Sequence, residues 1–270
     1  MFQRLCVLAV TLCHGAVTKA GDDEADSIAA QRMELMRARA ASIHFRAQDA
    51  AFPTALEPEP LFRYDDHTRG YVDGTVWRLG KTGRPLAIIT SELHPHYLGG
   101  GPRVVYDFLS LTDVRFTARS NDVPGWSPSE SAVAIRVLPD GPLPAGNGAL
   151  RLAQMRQLAG RFSATQDVEG QKVPLRLLPK PIDRYVPGAD SAADGVMFLL
   201  VNGRNPGLVL LIETDGREWS YGIGRLSLPS TLVAKLDDEV VYEQPPLTDY
   251  TWGSAYTASN SPAEIPGETP

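Results

Sequence analysis

A chain of 270 residues with 26 basic and 32 acidic side chains has room for one large domain or two ordinary ones. The basic residues, 21 of them arginine, form no cluster of the kind that grips a phosphate backbone, so nucleic acid is not an expected partner. Both cysteines, Cys6 and Cys13, fall in the first twenty residues, which leaves the remainder without a thiol nucleophile, a disulfide or a cysteine metal ligand.

Residues 1–20 read as a signal peptide. Arg4 charges a short leading segment, Leu5 to Val17 is predominantly apolar, and Thr18-Lys19-Ala20 ends in a small residue suited to cleavage before Gly21. The apolar run is too short for a permanent membrane span, so no transmembrane anchor is expected after cleavage. The expected destination is the periplasm or the exterior of a bacterium. After cleavage 24 basic residues face 32 acidic ones, a net charge of about −8. Residues 21–26 then form a short acidic N-terminal segment.

From Ser27 to Ser42, apolar Ile28, Leu35, Met36 and Ile43 recur at helical spacing. Val72–Leu79 and Pro85–Leu93 flank Gly80-Lys81-Thr82-Gly83 and predict a hairpin. "RVVYDFLSL", "VRFTAR" and "AVAIRVL" add strands. Asn147 can cap a second helix over Ala149–Ala159, which Gly160 would end. Val196–Val201 and Leu208–Glu213 form another hairpin, apolar on both faces as in a buried sheet. "EWSYGIGRLSL" and a hairpin around Asp237-Asp238 follow. The small, polar, Pro-containing segment 251–270 predicts disorder.

The two parts of the chain echo each other. "PEPLFRY" (58–64) recurs as "PKPIDRY" (179–185), an offset of 121 residues. The same offset superposes Asp73-Gly74 on Asp194-Gly195 and Glu92 on Glu213. Nine identities fall within the 35 residues from Pro58 to Glu92, against roughly two expected by composition. These observations predict an α+β fold of two tandem homologous modules, 27–144 and 145–250, each a helix on a curled antiparallel sheet. A pair of β-sandwiches with peripheral helices is the alternative. "RYDDHTRGYVDGTVWRLGKTGRPLAIITSELH", "LLPKPIDRY" and "REWSYGIGRLS" resemble a group of exported, uncharacterised proteins of planctomycete bacteria. That resemblance implies export and a shared fold, and carries over no activity, cofactor or catalytic residue.

Few residues carry chemistry. In "ELHPH", Glu92, His94 and His96 are spaced to share a strand face and form a candidate set for a divalent metal. Glu92, His94, His67 and Asp66 are the candidates for acid–base catalysis. Pro95 argues that the strand ends there, and the loop-like "DDHTRG" and "HPHYLGGG" argue for exposed positions. The repeated Arg63-Tyr64 and Arg184-Tyr185 read as structural locks, a guanidinium stacking on a ring and bridging to Glu92 or Glu213. Trp219 and Tyr221, two apart, would make a sugar-stacking platform if exposed. The leading expectation is an exported, soluble, non-enzymatic binding or envelope-associated protein, with a glycan or envelope protein as partner. The alternatives are a metal-dependent or acid–base hydrolase with its site in the first module, and a carbohydrate-binding module.

Overall fold

The computed structural model describes residues 16–47, 56–66, 69–168, 170–186 and 193–268. In the first half, helix α1 (Ala16–Ala41) leads into β1 (His44–Ala47), then β2 (Phe62–Asp66), β3 (Tyr71–Leu79), β4 (Ala87–His94), β5 (Arg103–Ser110) and β6 (Phe116–Arg119). A two-residue strand, β7 (Arg136–Val137), precedes α2 (Gly148–Ala159). The second half continues with β8 (Phe162–Val168), β9 (Gln171–Leu177), β10 (Asp183–Tyr185), β11 (Asp194–Asn202) and β12 (Asn205–Thr214). Then come β13 (Trp219–Arg225), β14 (Thr231–Leu236), β15 (Glu239–Gln244) and β16 (Tyr256–Pro262). Helix α1 runs through the expected cleavage point after Ala20. No helix among the described residues is long and apolar enough to cross a membrane.

Two sheets stack face to face with a helix on each outer side. One has the order β16-β5-β4-β3-β2; the other runs β15-β14-β8-β9-β11-β12-β13-β7, with β10 beside β11. The period of two along each strand sorts side chains between layers. On β3 and β4, Trp77, Ile89 and Leu93 face α1 and pack with Met33, Met36 and Ala40. Their neighbours Val76 and Ile88 face the other sheet and meet Met197, Leu199, Val209 and Leu211. On the far side Phe198, Leu210 and Ile212 pack beneath Met155 and Leu158 of α2. Both faces of the central strands are therefore buried, which is why "VMFLLV" and "LVLLI" show no polar alternation.

Helix α2 starts where Asn147 accepts hydrogen bonds from the Ala149 and Leu150 amides, at 2.7 and 3.4 Å, and it ends at Gly160. The β14–β15 hairpin turns on Asp237 and Asp238, both with positive φ, the backbone that a tight twisted hairpin needs.

The halves match in register. Tyr64 lies opposite Gly74, Gly74 opposite Glu92 and Trp77 opposite Ile89. The residues 121 positions later pair identically: Tyr185 with Gly195, Gly195 with Glu213, Phe198 with Leu210. Beyond these strands each half lends its last segment to the other. Arg136 of β7 lies opposite Tyr221 of β13, and Ser259 of β16 lies opposite Tyr106 of β5.

This exchange corrects two expectations. Of "AVAIRVL" only Arg136–Val137 forms a ladder, and it does so on the second half's sheet. The segment expected to be disordered is an arm: β16 pairs along the whole of β5, and Ala263 and Ile265 enter the core under α1. Trp126 anchors it from the side, its indole N–H donating to the Ser254 carbonyl at 2.9 Å.

Candidate functional site

The residues common to both halves form one device, built twice. Arg63 donates from Nε to Asp73 Oδ1 at 2.8 Å and from Nη2 to Asp73 Oδ2 and to the Ala29 carbonyl of α1. Arg184 binds Asp194 at 2.9 and 2.6 Å and the Gly148 carbonyl of α2 at 2.6 Å. Each arginine thus ties a strand pair to its helix. Burial opposes ionisation of Asp194, but hydrogen bonds from Arg184 and Arg151 prevail and hold its carboxyl below the usual range.

The tyrosines reach the other carboxylate. Tyr64 donates to Glu92 at 3.0 Å and Tyr185 to Glu213 at 2.7 Å. Their rings lie flat over glycines: a Cβ on Gly74 or Gly195 would fall 2.7 or 2.6 Å from ring atoms. The expected stacking of guanidinium on ring with a bridge to Glu92 is therefore replaced by a division of labour, Arg to Asp73 or Asp194, Tyr to Glu92 or Glu213.

The halves part company around the glutamates. Glu213, 3% exposed, receives a bidentate clamp from Arg84 in the β3–β4 turn of the first half, with Nε at 2.7 Å from Oε1. The position matching Arg84 in the second half is Asn205, whose amide goes to Asp66 at 3.4 Å. Glu92 is left with Tyr64 on one oxygen and His94 Nε2 on the other, at 3.0 Å. The His94 ring is packed between Tyr71 and Tyr97, with centroids at 5.2 and 5.5 Å.

Beside Glu92 on the inner face lie Thr90 and, opposite it on β5, Asp107. The Thr90 hydroxyl donates to Asp107 Oδ2 at 3.3 Å. The matching pair in the second half is Leu211 opposite Gly222, and Val133 fills the space over that glycine. Asp107 keeps part of its surface open, yet it is surrounded densely enough that burial, reinforced by the charge on Glu92, pushes its carboxyl up to about 7. Tyr256, from the C-terminal arm, is 5% exposed and turns its hydroxyl towards Asp107 without reaching normal hydrogen-bond geometry. Over the Tyr256 ring, 5.6 Å from its centroid, sits the Arg225 guanidinium. Arg225 is held by the carbonyls of Ser227, Leu228, Ser230 and Pro245.

Other candidates do not assemble. His96 is exposed in the turn after Pro95, so Glu92, His94 and His96 do not converge, and among the described residues no three His, Cys, Asp or Glu side chains could hold a metal. Asp66 turns to Arg69 at 3.4 Å and to Asn205. His67 lies outside the described residues. Trp219 is 2% exposed, donates to the Pro142 carbonyl at 2.7 Å and lies against Gly141; Tyr221 packs on Phe162. The segment after β7 covers Trp219, and Phe162 covers Tyr221, so the stacking platform expected of this pair does not form. Asp107, Thr90 and Tyr256 escaped the sequence reading. The one local clue was an acid inside the apolar run "VVYDFLS".

Where the arm crosses between the halves, a cleft of about 340 Å³ opens. Tyr242, Tyr250 and Tyr256 line it with Arg225, and Glu130, Gln244 and Asp249 stand among them. Tyr256 therefore has the acidic pair on one side and the cleft on another. No protein-family model matches the chain, and comparison with curated proteins and with solved structures finds no match.

Proposed function

We propose that this is an exported, non-enzymatic binding protein, made by tandem duplication of one helix-and-sheet module, that takes a glycan in the cleft between its halves. The cleft carries the reading: three tyrosine rings, one guanidinium and three polar side chains around about 340 Å³. Such a lining suits a sugar, which presents apolar C–H faces to aromatic rings and hydroxyls to carboxylates and amides. The duplication is supported by the constant offset of the paired residues and by the twice-built Arg–Asp and Tyr–Glu contacts. Export is supported by the leader-like residues 1–20.

Tyr250 is the residue to probe, because at 37% exposed it can be removed without opening the core. Calorimetric titration with a panel of soluble oligosaccharides is expected to find a saturable ligand whose affinity falls about tenfold or more in Tyr250→Ala. A panel without a binder, or a binder indifferent to Tyr250→Ala, would sink the assignment.

A further inference from the structure

We propose that Asp107 and Glu92 form a proton-binding lock for the C-terminal arm: a proton on the pair keeps β16 docked, and its loss loosens the arm. The two halves treat their buried glutamates differently. A carboxylate withdrawn from water needs a counter-charge. Glu213 has Arg84, whereas the corresponding position facing the first half is Asn205, which turns to Asp66. The first half then adds a second acid, Asp107, where the second half has Gly222.

The groups facing Asp107 offer little relief. Around the pair stand Thr90 on β4, Tyr256 on β16, Arg225 on β13 and the rings of Tyr64 and Tyr97, with the His94 imidazole on the far oxygen of Glu92 at 3.0 Å. Arg225 is the one permanent cation among them, and His94 touches Glu92 rather than Asp107. The guanidinium lies over the Tyr256 ring with its N–H groups on backbone carbonyls, and makes no ion pair with Asp107. Tyr256 brings a buried hydroxyl without a normal partner to the pair, and it sits on the arm itself. Neutral Asp107 satisfies this arrangement. Charged Asp107 places two carboxylates side by side under the arm and is relieved when β16 lifts and water enters.

The sign follows from the raised affinity of Asp107 for its proton. The docked state holds that proton up to about pH 7, and water entering the lifted state lets it go at lower pH. Docking is therefore firmest in acid and is lost as pH rises through about 7. Because Tyr256 also lines the cleft, ligand affinity should fall along the same curve, a corollary that rests on the function proposed above.

Amide hydrogen exchange at residues 256–261 tests the lock without any ligand, so the two ideas can fail separately. After correction for intrinsic exchange, protection there should drop about tenfold between roughly pH 6 and 8.5. In Asp107→Asn it should stay high and flat across that range. Protection that is flat in the unaltered protein, or a slope that persists in Asp107→Asn, overturns the proposal. Glu92→Gln supplies a second check should Asp107→Asn not fold. It removes the charge that reinforces proton binding, so the fall should move to lower pH, and an unmoved transition would count against the lock.

Discussion

Glu92 and Glu213 occupy matching register positions, each accepting a hydrogen bond from its own tyrosine, Tyr64 or Tyr185, and lying opposite its own glycine, Gly74 or Gly195, yet their charges are handled differently. Glu213 is closed off by an arginine reaching across from the other half, in a pocket otherwise lined by Leu211 and Gly222 with Val133. Glu92 is surrounded by His94, Thr90, Asp107 and Tyr256, groups that can exchange protons or meet water. What the two share makes the fold; what they do not share marks where one half is free to do something else. The exchanged arms tie the halves together, since one edge of each sheet is completed by a strand from the other half.

The largest effect is expected at Arg84. Arg84→Ala leaves Glu213 buried beside one tyrosine, and truncation of one partner of a buried pair costs about 3 kcal/mol or more. Urea unfolding should show this as a lowered midpoint with an unchanged slope. A loss below about 1 kcal/mol would mean that water replaces the guanidinium and that the second half is less closed than its packing indicates.

Next in size come the glycines under the rings. Gly195→Ala and Gly74→Ala each drive a methyl group to within 2.6 or 2.7 Å of a tyrosine. Overpacking of this kind costs about 1–3 kcal/mol. The two losses should be alike if Tyr–Glu is the same device in both halves. A much smaller loss for Gly74→Ala would show that the Tyr64 ring gives way, and that the first half is already the looser one.

The repeated segments were legible because their information is local. Apolar runs, turn glycines and the Asn147 cap each act within a few residues, and two copies of "PxP(L/I)xRY" set the offset directly. The arms were not legible. Residues 251–270 look disordered by composition because β16 is held by ladder bonds to β5, about 150 residues away, and few side chains, Trp252, Tyr256, Ala263 and Ile265, add apolar burial. Trp219 and Tyr221 do share a strand face, but which face is covered depends on the segment after β7, and no local spacing reports that. Of the site, the contact between Glu92 and His94 could be read from their two-residue spacing. Asp107 could not, because it joins Glu92 through the β4–β5 register, and Pro95 and His96 drew attention to the wrong end of the strand.

The smallest effect discriminates most sharply between the halves. Asp107 binds its proton more tightly in the folded chain than in the unfolded one, so its contribution is full below about pH 4 and is lost as pH climbs to about 7. Asp107→Asn abolishes this slope. Thermal unfolding should then find the variant more stable than the unaltered protein at pH 8 by about 1–2 kcal/mol, after allowance for the partial exposure of the carboxylate. The advantage should shrink towards pH 5. Gly222→Ala gives no comparable pH term, because nothing ionisable sits at that position in the second half. If Asp107→Asn were instead destabilising at every pH, the carboxylate would be contributing hydrogen bonds rather than unrelieved charge, and the first half would be compensated after all.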